Sequence, residues 1–213
     1  MKTTRIAVLV SGGGTNLQAL IDAQARNELG GGEIVAVISS KPGAFALERG
    51  SKAGIPGYVI NRKSYPDNRS MTVALVEKLK ELQIDLVVLA GCMVIFTKEL
   101  ADAYPNAVMN VHPALIPSFC GEGYYGLHVH EKALAYGVKL SGATVHFVNE
   151  ECDGGPIIAQ KAVEILDDDT PEILQRRIME EAEWKLLPYA VQLFCQDRIR
   201  VDGRRVIIRK EEN

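Results

Sequence analysis

The sequence predicts an α/β fold: a mostly parallel sheet with helices on both faces, continued by mixed strands and closed by a C-terminal β-hairpin. Three observations carry this. Short apolar β-rich runs alternate with helical patterns through the first half of the chain. The run at 6–10, Ile-Ala-Val-Leu-Val, is apolar at every position, as a strand buried on both faces requires. A glycine-rich loop then joins that strand to an amphipathic helical pattern.

The elements can be justified in order. After the first strand, Thr15 is placed to cap a helix over 16–27 with Leu17, Leu20 and Ile21 on one side. A second strand is predicted at 34–38, then a helix over 44–53 closed by Gly54. A short strand at 58–60 precedes a helix for which Ser70 is the expected cap, with Val73, Val76, Leu79 and Leu82 forming its buried face. A fourth strand at 86–90, a short helix opened by Thr97 and ending before Pro105, and a fifth strand at 107–110 complete the alternation.

This is a Rossmann-like order, in which ligands bind at the carboxyl ends of the strands. The segments 12–16, 91–96 and 111–117 all follow strands, so they are expected to meet in one crevice. Beyond a helix around 130–136, strand-like runs occur at 144–148 and 157–163. Thr170-Pro171-Glu172 is a helix start, a cap followed by proline at the first helical position. That helix is expected to reach Leu187 and to kink or end at Pro188. Residues 198–209 predict a hairpin on the Asp202-Gly203 turn, and no linker marks a domain boundary.

With 213 residues, 47% of them hydrophobic and 24% charged, the chain is long enough for one well-filled globular domain. A net charge of -3 argues against a surface built to hold nucleic acid or anionic lipid. The apolar run at 6–10 is too short for a secretory signal, and no stretch reaches membrane-spanning length. Cys92, Cys120, Cys152 and Cys195 are widely separated, with no CxxC pair, which suggests reduced thiols and a cytoplasmic enzyme.

Two segments carry chemistry. Ser11-Gly12-Gly13-Gly14-Thr15-Asn16 can cradle an anion, because glycine amides approach it closely and a helix N-terminus adds partial positive charge. The loop fits neither the dinucleotide fingerprint, since Leu17 stands where the last glycine should be, nor the Gly-Lys-Ser/Thr phosphate loop. A mononucleotide-sized phosphate ligand is the functional reading; a plain flexible turn is the alternative. In Met109-Asn110-Val111-His112-Pro113, Asn110 and His112 share one side of an extended segment. Aimed at one carbonyl oxygen they could stabilise a tetrahedral oxyanion, while the bland alternative is a strand end whose polar groups bond to backbone. Asp153 lies in Glu150-Glu151-Cys152-Asp153-Gly154-Gly155-Pro156, where glycines permit a sharp turn. A carboxylate near His112 would raise the histidine's pKa and hold a proton-carrying water; otherwise this is an ordinary acidic turn.

These motifs occur in one order together with Ala90-Gly91-Cys92-Met93, Ala114-Leu115-Ile116-Pro117 and Gly142-Ala143-Thr144-Val145-His146-Phe147-Val148. In that order the chain resembles the phosphoribosylglycinamide formyltransferase family, within the folate-dependent formyltransferase superfamily, over about residues 5–195. The resemblance implies a single formyltransferase domain over 1–213, with a nucleotide-binding half (1–110), a catalytic and folate half (111–197) and the hairpin (198–210). It implies transfer of a formyl group from the co-substrate 10-formyltetrahydrofolate to the amine of 5-phosphoribosylglycinamide, in purine biosynthesis and without a metal. Catalysis would fall to Asn110, His112 and Asp153, with His146 and Thr144 behind them. Gly14, Thr15 and Asn16 would hold the ribonucleotide phosphate, and Glu183 and Glu180 would face the ribose or glycinamide. Arg69, Met93, Val94, Ile95 and Phe96, with Asn149, Glu150, Glu151 and Cys152, would form the folate site. Partners would be small molecules, with no nucleic acid or membrane, on a monomer or homodimer.

The chain departs from the family pattern twice. Val94 stands where familiar members carry arginine, and the 118–128 loop is longer than the short Pro-Gly form. A formyltetrahydrofolate deformylase is the nearest rival, but it would carry an N-terminal regulatory domain and His-His in place of His112-Pro113. A non-catalytic nucleotide-binding module would need none of Asn110, His112 or Asp153. His128-Val129-His130 could supply metal ligands but has no third partner at a telling spacing.

Overall fold

The fold is that of a computed structural model that describes residues 3–210. Among the described residues nine strands form one sheet in the order β3-β2-β1-β4-β5-β6-β7-β9-β8. β1 (Thr4–Val10), β2 (Gly32–Ser39), β3 (Gly57–Val59), β4 (Leu86–Leu89) and β5 (Val108–His112) are mutually parallel. β6 (Leu140–Phe147) and β7 (Ile157–Glu164) add antiparallel to β5. The hairpin β8 (Ile199–Asp202) and β9 (Arg205–Ile208) joins the sheet edge through a single pairing, Ile157 with Arg205.

β1 shows why the sheet is sandwiched. Its residues 6–10 are at most 1% exposed, and alternate side chains enter different cores. Ile6, Val8 and Val10 pack with Leu17 and Leu20 of α1 (Thr15–Ala25) and Leu187 and Val191 of α7 (Trp184–Cys195). Ala7 and Leu9 pack with Met71, Leu75 and Leu79 of α3 (Asn68–Glu81), and Leu100 of α4 (Lys98–Ala103) joins that cluster. Each fully buried leucine here contributes roughly 1.5–3 kcal/mol of transfer free energy, so both helix layers hold the strand in place. α2 (Phe45–Lys52) adds Ala46 to the first core, and α5 (Leu127–Tyr136) and α6 (Pro171–Ile178) enclose a third around Ala143 and Val163.

Several local expectations change. Thr15 does not cap α1: Gly14 occupies the cap in a left-handed conformation with no side-chain bond, and Thr15 is already helical. An added Cβ at Gly14 would lie 2.6 Å from the Ala46 Cβ, so close packing against α2 requires glycine there. Ser70 is not the cap of α3; Asp67 is, accepting from the Ser70 amide at 2.7 Å. The buried face of α3 is accordingly Met71, Thr72, Leu75, Val76 and Leu79, and Val73 is 41% exposed. α5 begins at Leu127 and β6 at Leu140, both earlier than predicted.

Pro188 neither ends nor interrupts its helix. α6 passes through a π-helical turn, Met179–Glu183, into α7, which carries Pro188 inside. The proline forfeits one backbone hydrogen bond, but burial of Leu187, Ala190, Val191 and Leu193 against the sheet outweighs it. The hairpin turns on Gly203 and Arg204 rather than on Asp202 and Gly203, because Asp202 pairs with Arg205. Gly203, at φ 59°, supplies the positive backbone angle that a two-residue hairpin loop demands.

Candidate active site

The chain runs outward from β1 to β3, then returns to place β4 and β5 on the other side of β1. Strand order therefore reverses between β1 and β4, and the crevice beyond their carboxyl ends is the expected binding position. The loops leaving those ends are bonded together. The Ser11 amide donates to Gly91 O at 3.2 Å, and the Ser11 hydroxyl accepts from the Met93 amide at 2.8 Å. β5 lies beside β4, with Asn110 opposite Leu89, so the Asn-His segment reaches the same edge.

Asn110 and His112 share one face of β5, and the antiparallel register sets His146 opposite Asn110 and Thr144 opposite His112. Asp153 completes the group from the turn between β6 and β7. The Asn110 amide nitrogen donates to Asp153 Oδ1 at 3.3 Å and lies 3.2 Å from His146 Nε2. His146 Nδ1 is 2.8 Å from the Phe147 carbonyl, which can only accept. His146 therefore carries a proton on Nδ1, and its Nε2 lies 3.5 Å from Asp153 Oδ1. His112 Nδ1 faces Asp153 Oδ2 at 3.5 Å, and its Nε2 donates to Phe119 O at 2.8 Å. The Gly121 amide donates to Asp153 Oδ2 at 2.9 Å.

Asp153 points inward because its turn is tightly wound. It sits at φ 54°, a left-handed conformation that Asp tolerates better than most side chains. Gly155 follows against Phe147 O, where an added Cβ would lie only 1.7 Å away. Burial alone would raise the Asp153 pKa. Contact with His146, the charge of His112 and the Gly121 amide together hold it below the ordinary carboxylate value. For His112 the balance runs the other way. Burial, with a smaller contribution from the charge of His146, lowers its pKa by more than Asp153 and the Phe119 carbonyl raise it. The expectation that Asp153 makes His112 more basic than usual is thus corrected: its pull is upward, but desolvation of a 4% exposed imidazole is larger.

Thr144 braces the loop after His112. Its hydroxyl donates to Ala114 O at 2.7 Å and accepts from the Ile116 amide at 3.1 Å and from Gln160 at 2.9 Å. Gln160 also donates to Ile116 O at 2.9 Å. Sequence reasoning missed Gln160, Phe119 and Gly121. Gln160 was legible only through strand register, since it pairs with Thr144 across β6 and β7. The other two act through backbone groups and leave no side-chain signal.

At the glycine loop, Gly12 and Gly13 are exposed with open space around them, so an anion could approach the backbone at the start of α1. Asn16 instead turns inward and donates to Glu183 at 2.6 Å, tying the glycine loop to the π-helical turn. Glu183 is 6% exposed, and burial raises its pKa to about 7 despite that bond. The Thr15 hydroxyl contacts Met179 Sδ at 3.7 Å. The Glu180 carboxylate pairs with Arg176 at 2.8 Å on the helix surface, and no contact brings it to Asn16 among the described residues.

Residues 92–96, in the loop after β4, belong to no helix or strand and alternate in exposure. Cys92, Val94 and Phe96 pack against the second core, whereas Met93 and Ile95 are more than half exposed. Arg69 reaches from α3 to Glu99 at 2.6 Å and is otherwise exposed. In the facing turn Asn149 accepts from the Glu151 amide at 3.1 Å, while Glu150, Glu151 and Cys152 are exposed at the surface. His128 pairs with Glu131 on the surface, and His130 is buried.

Fold, loop order and polar group fit a formyl-transferring class, and the chain belongs to the Formyl transferase family, whose pattern matches residues 4–191. Among individual proteins it is similar to the phosphoribosylglycinamide formyltransferase of Haemophilus influenzae, 39% identical over 197 residues, 92% of this chain and 90% of that one. The Trifunctional purine biosynthetic protein adenosine-3 of Bos taurus is 42% identical over 94% of this chain, which spans 19% of its length. The crystal structure of glycinamide ribonucleotide transformylase 1 from Symbiobacterium toebii superposes with a TM-score of 0.91 at 42% identity, covering 98% of this chain and 95% of that one.

Proposed function

We propose that this chain transfers the formyl group of 10-formyltetrahydrofolate to the amine of 5-phosphoribosylglycinamide, yielding formylglycinamide ribonucleotide and tetrahydrofolate for purine biosynthesis. The observation that carries the reading is the convergence of Asn110, His112 and Asp153 on one sheet edge, where the glycine loop also opens. The relatives' names supply the acceptor.

The residues suit each step. The amine attacks the formyl carbon, a C–N bond forms, and the carbonyl oxygen takes up the electron pair. His112 and the Asn110 amide are the donors for that oxyanion. Burial makes a protonated His112 a stronger acid than a solvated one, which favours giving its proton up. Collapse breaks the bond from the formyl carbon to the folate nitrogen, and that nitrogen needs a proton. Asp153, ionised and beside His112, accepts the amine proton through a water and returns it by way of the histidine. The exposed backbone of Gly12 and Gly13 and the Gly14 amide would hold the phosphate, with Thr15 and Asn16 shaping that cradle. Glu183 would face the ribose or glycinamide from the π-helical turn, whereas Glu180 points to the surface toward Arg176. The pterin would lie on Met93 to Phe96, against the 149–153 turn and near Arg69. The four free cysteines support a reducing, cytoplasmic setting.

A spectrophotometric assay with 10-formyltetrahydrofolate tests the reading. Turnover should require glycinamide ribonucleotide; formyl loss without it would point to a deformylase, and no turnover in either case to a binding module. His112→Ala should reduce the rate by at least ~10²-fold, the scale of a positioned acid, and near-normal activity would remove His112 from its role.

A further inference from the structure

Two thiols that take no part in the proposed proton transfers flank the Asp153 carboxylate, one of them in the turn proposed to border the pterin. Cys152 precedes Asp153 in the turn and directs its thiol to Asp153 Oδ2 at 3.9 Å. Cys120 precedes Gly121, whose amide donates to that same oxygen at 2.9 Å. Both cysteines are free, Cys152 is exposed and Cys120 half-buried. One belongs to the 118–126 loop and the other to the turn that presents Asp153, so a bond between them would join the two walls of the site.

We propose that Cys120 and Cys152 form a modification site at which a low-molecular-weight disulfide closes a reversible bridge across the catalytic crevice. The exposed Cys152 thiolate attacks the small disulfide, a mixed disulfide forms, and one small thiol leaves. Cys120 then attacks the Cys152 sulfur and expels the second small thiol. The protein pair loses two protons and two electrons, and the small disulfide gains both. Burial, with Asp153 and Glu151 beside Cys120 and Asp153, Glu122 and Cys120 beside Cys152, raises both thiols, so the pair answers sustained oxidation rather than brief exposure.

The functional consequence rests on the proposed reaction and follows from what the loop already touches. Phe119 O occupies the His112 Nε2 proton, and the Gly121 amide occupies Asp153 Oδ2. For a substrate to reach either group the loop must give way. A bridge at Cys120 would hold both contacts in place and withdraw the acid and the carboxylate together.

The test incubates the reduced full-length protein with an excess of oxidised glutathione, alkylates remaining thiols in acid and maps the peptides by mass spectrometry. A peptide pair joined through Cys120 and Cys152 is expected, with hydrogen exchange of the 118–126 amides slowed in the bridged protein. Formyl transfer should fall in proportion to the bridged fraction and return with a dithiol reductant. Cys120→Ser should carry a glutathione adduct on Cys152 and no bridge. Separate adducts on both cysteines of the parent protein, or a bridge that leaves loop exchange and turnover unchanged, would overturn the proposal. The bridge and the exchange are read without substrate, so a chain that forms both yet never formylates the amine would fail the proposed reaction alone.

Discussion

Asp153 holds the proposed site together, because His112, His146, Asn110 and the Gly121 amide all address its two oxygens. Its effect on His112 is electrostatic and upward, against a larger downward pull from burial. Asp153→Asn removes the charge while keeping a side chain that tolerates the left-handed backbone. His112 should then fall further below its ordinary value. Since the acid form is lost as pH rises through the folded pKa, the high-pH limb of the kcat profile should move to lower pH, with kcat itself reduced by about 10²-fold. An unmoved limb would mean that His112 does not feel Asp153. Both residues were legible as candidates in the sequence, since Asn-x-His-Pro and an aspartate before two glycines are distinctive there. The sign of the histidine's shift was not, because it depends on how deeply the ring is buried.

The β6–β7 turn is the element on which the site depends most. Its role requires Gly155 to pass against the Phe147 carbonyl, with no room for a Cβ. Gly155→Ala should force the turn outward and displace Asp153. A shift near 1 Å at a reacting group costs on the order of 10²-fold in rate, so formyl transfer should fall steeply while circular dichroism still reports the α/β fold. Full activity in that variant would show that the turn tolerates another course. The 118–126 loop is the contrasting element. Its length was evident from the sequence, but its contacts run through the Phe119 carbonyl and the Gly121 amide, which any residue possesses. The helix does not end at Pro188 for a related reason: proline reports a lost hydrogen bond, and the burial that outweighs it is a tertiary quantity.

At the scale of the whole molecule, the bond from Asn16 to Glu183 spans 167 residues and links the first loop to the last long helix. Burial lifts the Glu183 pKa from 4.5 to about 7, so between those values the folded chain keeps a proton that the unfolded chain has released. Stability from this group is complete below about pH 4.5, declines as pH rises and is lost through pH 7, on the order of 3 kcal/mol in all. Glu183→Gln keeps an acceptor for Asn16 and cannot ionise. Urea unfolding at pH 5 and pH 8 should show a smaller loss at pH 8 in the variant, and an equal loss in both proteins would remove Glu183 as its source. The sequence by itself determined the alternation of strands and helices, the parallel sheet and the edge on which 12–16, 91–96 and 111–117 emerge, because periodicity and chain order are local properties. Only the tertiary structure decided which polar atoms meet. It turned Asn16 inward to Glu183, left Glu180 on the surface and set a backbone carbonyl against His112, because hydrogen-bond partners and desolvation arise between segments distant in the chain.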